Sequence, residues 1–296
     1  MNIFNRLLFI VLMMAFLPAT FSQAAVKSIS GDKVGLIWAG CGITKKAFMK
    51  ELAIAYEKKT GVKIELQGGG ATRGIRDVQK GVINIGGACR ETLEFESKER
   101  FVKQIPLAWD AIVFIVNKNN PLNDITLDQV RAIYEGRITN WKQLGGNNAP
   151  IDLYVRKSPI SGVGQTLRKL VFPEDFDDFT SRAHVVKSSG PAEKAVVESI
   201  NAFTATGISS ASRRDVKMLA VHGVKPTYDT IKDGSYMLYR PLYLVTKVVE
   251  TNPLVNAFVD YATSDEGTAV IRKTGTVPFT DALNLLSKQF DQNSGQ

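Results

Sequence analysis

Two glycine-rich runs, Gly68-Gly69-Gly70-Ala71-Thr72-Arg73-Gly74-Ile75 and Ile85-Gly86-Gly87-Ala88-Cys89-Arg90, carry residue types that can hold an anion without catalysing anything. Each follows a short apolar run, Val62 to Leu66 and Val82 to Ile85, and so reads as the loop at the carboxyl end of a buried parallel strand. That is where open α/β sheets bind ligands. The first loop feeds a short helical pattern, Ile75 and Val78 ending at Gly81, whose free N–H groups and positive dipole end suit an anion. Ala39-Gly40-Cys41-Gly42-Ile43 and Arg156 to Gly164 have the same character. Thr44, Thr72 and Ser161 stand at helix starts, where a hydroxyl either caps the helix or reaches a ligand.

Catalytic signatures are missing. The chain has no Gly-x-Ser-x-Gly elbow, no His-Glu-x-x-His and no loop ending in Gly-Lys-Ser/Thr. Its two histidines, His184 and His222, lie far apart without partners at metal-ligand spacing, so neither a metal nor a cofactor is expected. Arg73 and Arg76 read as solvated charges on a helix face, and Trp38, Trp109 and Trp141 as core residues.

The elements that must position these loops follow from hydrophobic periodicity. Val34 to Trp38 is a strand, and Phe48, Leu52, Ala55 and Tyr56 recur at helical spacing until Gly61 stops the helix. With strands at 62–66 and 82–85 this is a βαβαβ unit whose loops share one edge. Further strands are expected at Ala111 to Val116, Ile151 to Val155 and Leu242 to Val245. Thr126 to Gln129 has the capping-box pattern, and Ser188-Ser189-Gly190-Pro191 is a helix start. The pattern predicts two α/β lobes, one from residues 26–118 and 237–296, the other from 119–236.

Length and composition allow this. With 296 residues, 44% apolar and 22% charged, the chain can bury a sizeable core. Residues 1–25 read as a signal peptide: a short n-region with Arg6, an apolar stretch from Leu7 to Leu17, and small residues around Ala24. No Cys stands at the cleavage site to accept a lipid, so a free periplasmic product is expected. The net charge of +8 is scattered, without a cationic run or interleaved aromatics, which argues against nucleic acid as partner. In an oxidising compartment the two cysteines, Cys41 and Cys89, are expected to form a disulfide; the alternatives are free thiols touching a soft ligand and inert thiols.

Taken together, Gly40 to Thr44, Gly68 to Ile75, Ile85 to Arg90, Leu127 to Trp141, Ser161-Gly162 and Gly223 to Lys247 resemble, in order, the phosphate-binding proteins of bacterial ABC importers. The resemblance spans nearly all of the chain beyond residue 25. It implies the two-lobed α/β fold of type II periplasmic binding proteins, closing as a monomer on a small oxyanion, phosphate foremost, for delivery to a membrane permease. It further implies ligand contacts from Gly42, Ile43 and Thr44, from Gly70, Ala71 and Thr72, from Cys89 and Arg90, and from Ser161, Gly162 and Val163. The fourth loop contributes either Arg156 or Lys157, a choice that matters because Arg grips an oxyanion through two bonds and Lys does not.

Three positions depart from the family pattern: Ala71 and Val163 replace hydroxyl residues, and Cys89 stands where relatives carry Ser or Asp. The departures leave the expectation of an anion intact and weaken that of phosphate, whose own proton needs an acceptor. The alternatives are a sensor subunit of the same fold for an oxyanion or a thiophilic ligand such as arsenite, and, more weakly, a phosphate-ester hydrolase.

Overall fold

In the computed structural model, which describes residues 34–288 apart from 174, 175 and 177, the strands are β1 (Val34–Gly40), β2 (Lys63–Gln67), β3 (Ile85–Ala88), β4 (Val102–Asn117), β5 (Asp124–Ile125), β6 (Asp152–Arg156), β7 (His184–Val186), β8 (Ala202–Gly207), β9 (Val216–Met218), β10 (Ala220–Val221), β11 (Tyr239–Lys247) and β12 (Val277–Pro278). Between them lie α1 (Gly42–Thr44), α2 (Lys50–Thr60), α3 (Gly70–Lys80), α4 (Leu127–Tyr134), α5 (Gly162–Val171), α6 (Ser189–Glu198), α7 (Ile208–Ala211) and α8 (Tyr228–Lys232), with α9 (Pro253–Thr263) and α10 (Asp265–Lys273) preceding β12. A π-helical stretch, Lys45–Met49, joins α1 to α2. The leader expected over residues 1–25 lies outside the described residues. Among those described, no helix is long and apolar enough to cross a membrane.

One sheet holds the molecule together, in the order β2-β1-β3-β11-β4-β8-β6-β7, with β9 and β12 also paired to β4. β1 runs parallel to β2 and β3, and β6 parallel to β7 and β8. The pattern turns antiparallel around β4. From Val102 to Ala111 this strand pairs with β11, and from Ile112 to Asn117 it pairs with β8 and β9. Every residue from Leu107 to Val116 is buried, as expected for a strand covered on both faces.

β3 begins three residues later than the apolar run suggests. Gly81 ends α3 in the left-handed conformation (φ 72°), and the amides of Val82 and Ile83 turn back to Asp77 O. Val82 is therefore 61% exposed, and only Ile85 onward joins the sheet. Gly74, inside α3, shows why that helix can lie so near its strands. A Cβ there would stand 2.8 Å from both Ala39 O and Gly87 O, closer than packed atoms tolerate.

The expected capping box on α4 is present, with Thr126 Oγ1 accepting from Gln129 N while the Gln129 side chain accepts from Thr126 N. Trp38, Trp109 and Trp141 all pack in the core.

Candidate functional site

A cavity of about 800 Å³ opens where four helices begin. Its lining includes Gly42 and Ile43 at the start of α1, Gly68 to Thr72 at α3, Ser161 to Val163 at α5, and Ser188 to Gly190 at α6. Two of these starts are capped by side chains: Cys41 Sγ accepts from Thr44 N at 3.4 Å, and Ser161 Oγ from Gly164 N at 3.2 Å. The other two are not, since neither Gly69 nor Ser188 makes a side-chain cap. Gly69 (φ 124°) and Gly70 (φ 88°) adopt backbone conformations that side-chain-bearing residues avoid, which brings the α3 amides to the cavity. Unsatisfied N–H groups at helix starts carry partial positive charge, and here they share one space.

The charged lining has the same sign. Lys46, Arg156, Lys187 and Arg214 face the cavity, and among the described residues no carboxylate does. Just behind it, buried Glu193 accepts from Lys46 Nζ at 3.4 Å, Arg214 Nε at 3.1 Å, Thr206 Oγ1 at 2.7 Å and the Ser210 hydroxyl. Burial pushes the Glu193 carboxyl up, but the Ser210 and Thr206 bonds and the two cations outweigh it and hold the group below its usual range. Glu193 thereby fixes Lys46 and Arg214 in place. Arg156 donates from Nη1 to Ser189 Oγ at 3.1 Å and from Nη2 to Lys187 O at 2.8 Å, while its buried Nε has no partner among the described residues.

Beneath the cavity lies an ion pair whose two members face each other across β4 and β11. Arg240 donates from Nη2 to Asp110 Oδ2 at 3.1 Å and from Nη1 to Cys89 O at 3.0 Å and Gly162 O at 3.3 Å. Asp110 in turn accepts from Ser209 N and Oγ at the start of α7. One guanidinium thus ties the third and fourth loops to the central strands.

Of the residues expected at the site, Gly42, Ile43, Gly70, Ala71, Thr72, Cys89, Arg156, Ser161, Gly162 and Val163 line the cavity. Thr44, Arg90 and Lys157 do not. Thr44 is fully buried, its hydroxyl donating to Cys41 O at 2.9 Å. Arg90 is buried in a two-bond pair with Glu99, 2.8 Å at each, and also donates to Ile160 O, Glu91 O and Thr72 Oγ1. With its donors spent on protein, it braces the third loop against the fourth. Lys157 is exposed. Thr72 donates its hydroxyl to Ile160 O, leaving its amide as what it can offer.

The expected disulfide is not formed. Cys41 and Cys89 are buried free thiols, with Cys41 Sγ engaged as the α1 cap and 3.4 Å from the Thr44 hydroxyl. Burial opposes ionisation of Cys41, yet the bonds from Cys89 and Thr44 and the charge of Arg240 prevail and bring it from 9.0 down to about 7. Cys89 moves the other way, pushed well up by its bond to Cys41 and by burial.

The stability consequence has a definite sign. A depressed folded pKa at Cys41 confers stability that is complete above the ordinary value of 9.0 and is lost as pH falls through about 7. The raised Cys89 contributes below 9.0 and loses its contribution above it. Between those limits only Cys41 changes. The stability gap between wild type and Cys41→Ser should widen by about 1–3 kcal/mol from pH 7 to pH 9 in urea titrations; a constant gap contradicts the assignment.

Lys46, Lys187, Arg214, Glu193, Ser210, Asp110 and Arg240 are not singled out by the sequence as site residues. The one available hint was Ser188-Ser189-Gly190-Pro191, a helix start of the same kind as the loops that were identified.

Known proteins resemble this chain over most of its length. The Borreliella burgdorferi phosphate-binding protein PstS is 25% identical over 90% of this chain and 97% of its own length, and the Bacillus subtilis PstS 27% identical over 94% and 95%. Among solved structures, a substrate-binding protein of Clostridium perfringens with bound phosphate superposes with a TM-score of 0.75 at 31% identity, covering 82% of this chain and 98% of that one. An ABC-type phosphate transport receptor of Vibrio cholerae gives 0.64 at 27% identity, over 82% and 99%. The sequence profile of the PBP superfamily domain matches residues 28–266. The shared architecture is that of type II periplasmic binding proteins, and the chain belongs to the PBP superfamily.

Proposed function

We propose that this chain is the phosphate-capturing subunit of an ABC importer: a binding protein, not an enzyme. The observation that carries this is the convergence of four helix starts and four cationic side chains, with no carboxylate among the described lining residues, on one cavity. Backbone N–H groups of α1, α3, α5 and α6 and the Arg156 guanidinium form the donor set, and Arg156 rather than Lys157 supplies the fourth-loop charge. Its relatives carry phosphate in their names or in their sites.

Closure requires two bodies. We place the exchange between them at 111–112 in β4, where pairing passes from β11 to β8, and at 238–239 where β11 begins. Lobe one then holds α1 and α3, and lobe two α5 and α6, so an anion touching both sets favours the closed state. A leader over residues 1–25 fits export to the periplasm, and a membrane permease is the partner.

Calorimetry of refolded, ligand-stripped protein tests the reading. Phosphate should bind with a Kd of about 1 μM or below. No binding tighter than about 1 mM by phosphate, arsenate, sulfate or molybdate sinks it.

A further inference from the structure

Oxyanion capture makes no use of the two thiols. Cys41 and Cys89 both line the cavity, come from the ends of the neighbouring, paired strands β1 and β3, and are free thiols. Their placement is enforced by the backbone. A Cβ at Gly162 would come within 2.2 Å of Cys89 Sγ, so the fourth loop leaves room for this sulfur only because it carries glycine there. Arg240 holds the Cys89 carbonyl from below, and the Cys41 thiol is steadied by Thr44.

Two thiols lining one cavity select soft, thiophilic elements. The rest of the cavity narrows the class. Lys46, Arg156, Lys187 and Arg214 repel soft cations, whereas a neutral or anionic oxyacid meets donors on every side. We propose that the Cys41–Cys89 pair is a dithiol chelation site for a trivalent, thiophilic oxyacid, of which arsenous acid is the type.

The step balances without a redox partner. Arsenous acid, As(OH)3, condenses with both thiols: two S–H and two As–OH bonds break, two As–S bonds form, and two waters leave. Arsenic remains trivalent and keeps one hydroxyl, which the amides of α1 and α3 can meet. Cys41, the more acidic thiol, supplies the first sulfur nucleophile. The assignment does not require phosphate to be the transported anion.

The test uses the wild-type protein, purified anaerobically, titrated with sodium arsenite and in parallel with phosphate. Arsenite should bind one per chain, protect both cysteines from alkylation by iodoacetamide as read by mass spectrometry, and give an arsenic absorption edge spectrum with two sulfur neighbours. Cys41→Ser and Cys89→Ser should each weaken it by about a hundredfold, the loss expected when chelation falls to a single bond. The edge spectrum and the alkylation pattern of wild type decide the matter even if a variant fails to fold. Arsenic with one sulfur neighbour or none, or protection of only one cysteine, overturns the proposal. Arsenite silent while phosphate binds overturns it too and leaves the phosphate reading standing; phosphate silent while arsenite binds does the reverse.

Discussion

Arg240→Ala should lower the stability of this protein by about 3–5 kcal/mol, read as a fall in the urea midpoint at unchanged slope. Asp110 is fully buried, and without Arg240 its carboxylate keeps Ser209 but loses its counter-charge. An uncompensated buried charge is far more costly than a missing bond. Two further groups are released at once, the carbonyls of Cys89 and Gly162, so both loops above the pair lose their anchor. The double variant Arg240→Met/Asp110→Leu removes both charges and should recover much of the loss. A double-mutant cycle then isolates the pair. A cost below about 1 kcal/mol for Arg240→Ala means the pair does not lock the loops.

Arg156→Ala should weaken phosphate binding by about 10- to 100-fold, the range for one charge-assisted contact of about 1.5–3 kcal/mol. Lys157→Ala, one residue along and exposed, should change it less than about twofold. Arg156→Lys separates charge from shape: it keeps the cation but loses the planar fork that meets two oxygens, so an intermediate loss is expected. Because Arg156 also holds Ser189 Oγ and Lys187 O, melting curves must accompany the titrations. A larger effect from Lys157→Ala than from Arg156→Ala reverses the proposed roles.

What could be read from the sequence was local. The helix ending at Gly61, the capping box of Thr126 and the apolar run inside β4 depend on neighbours a few residues apart, and the structure contains all three. The glycine loops were legible for the same reason: strand, glycine and helix start are contiguous. The residues missed are those whose meaning depends on distant partners. Glu193 reaches Lys46 across 147 positions, and nothing around it distinguishes it from a solvated acid on a helix. Asp110 sits at the edge of an apolar run, and Arg240 in a segment noted only for its resemblance to relatives. For Thr44 the sequence is ambiguous, because a hydroxyl just after a glycine loop suits a cap or a ligand equally, and the structure has it bonding its own loop's carbonyl. For the cysteines, compartment chemistry argued for a bridge, whereas the thiol capping of α1 is a matter of three-dimensional placement.

The pairing of β4 with β11 also bears on the order of events as the chain acquires its shape. Asp110 and Arg240 are separated by 130 residues, with β5 to β10 between them in sequence. The central ladder can therefore form only after the intervening segment has emerged, and closing so long a loop carries an entropic cost that local helices do not face. The earliest compact species should be the β1-β2-β3 unit with α2 and α3, carrying an unpaired edge on β3 until β11 returns to cover it. Until that return the backbone groups on this edge are open to association, and the docking of β11 joins the β1-β2-β3 unit to β4 in one continuous sheet.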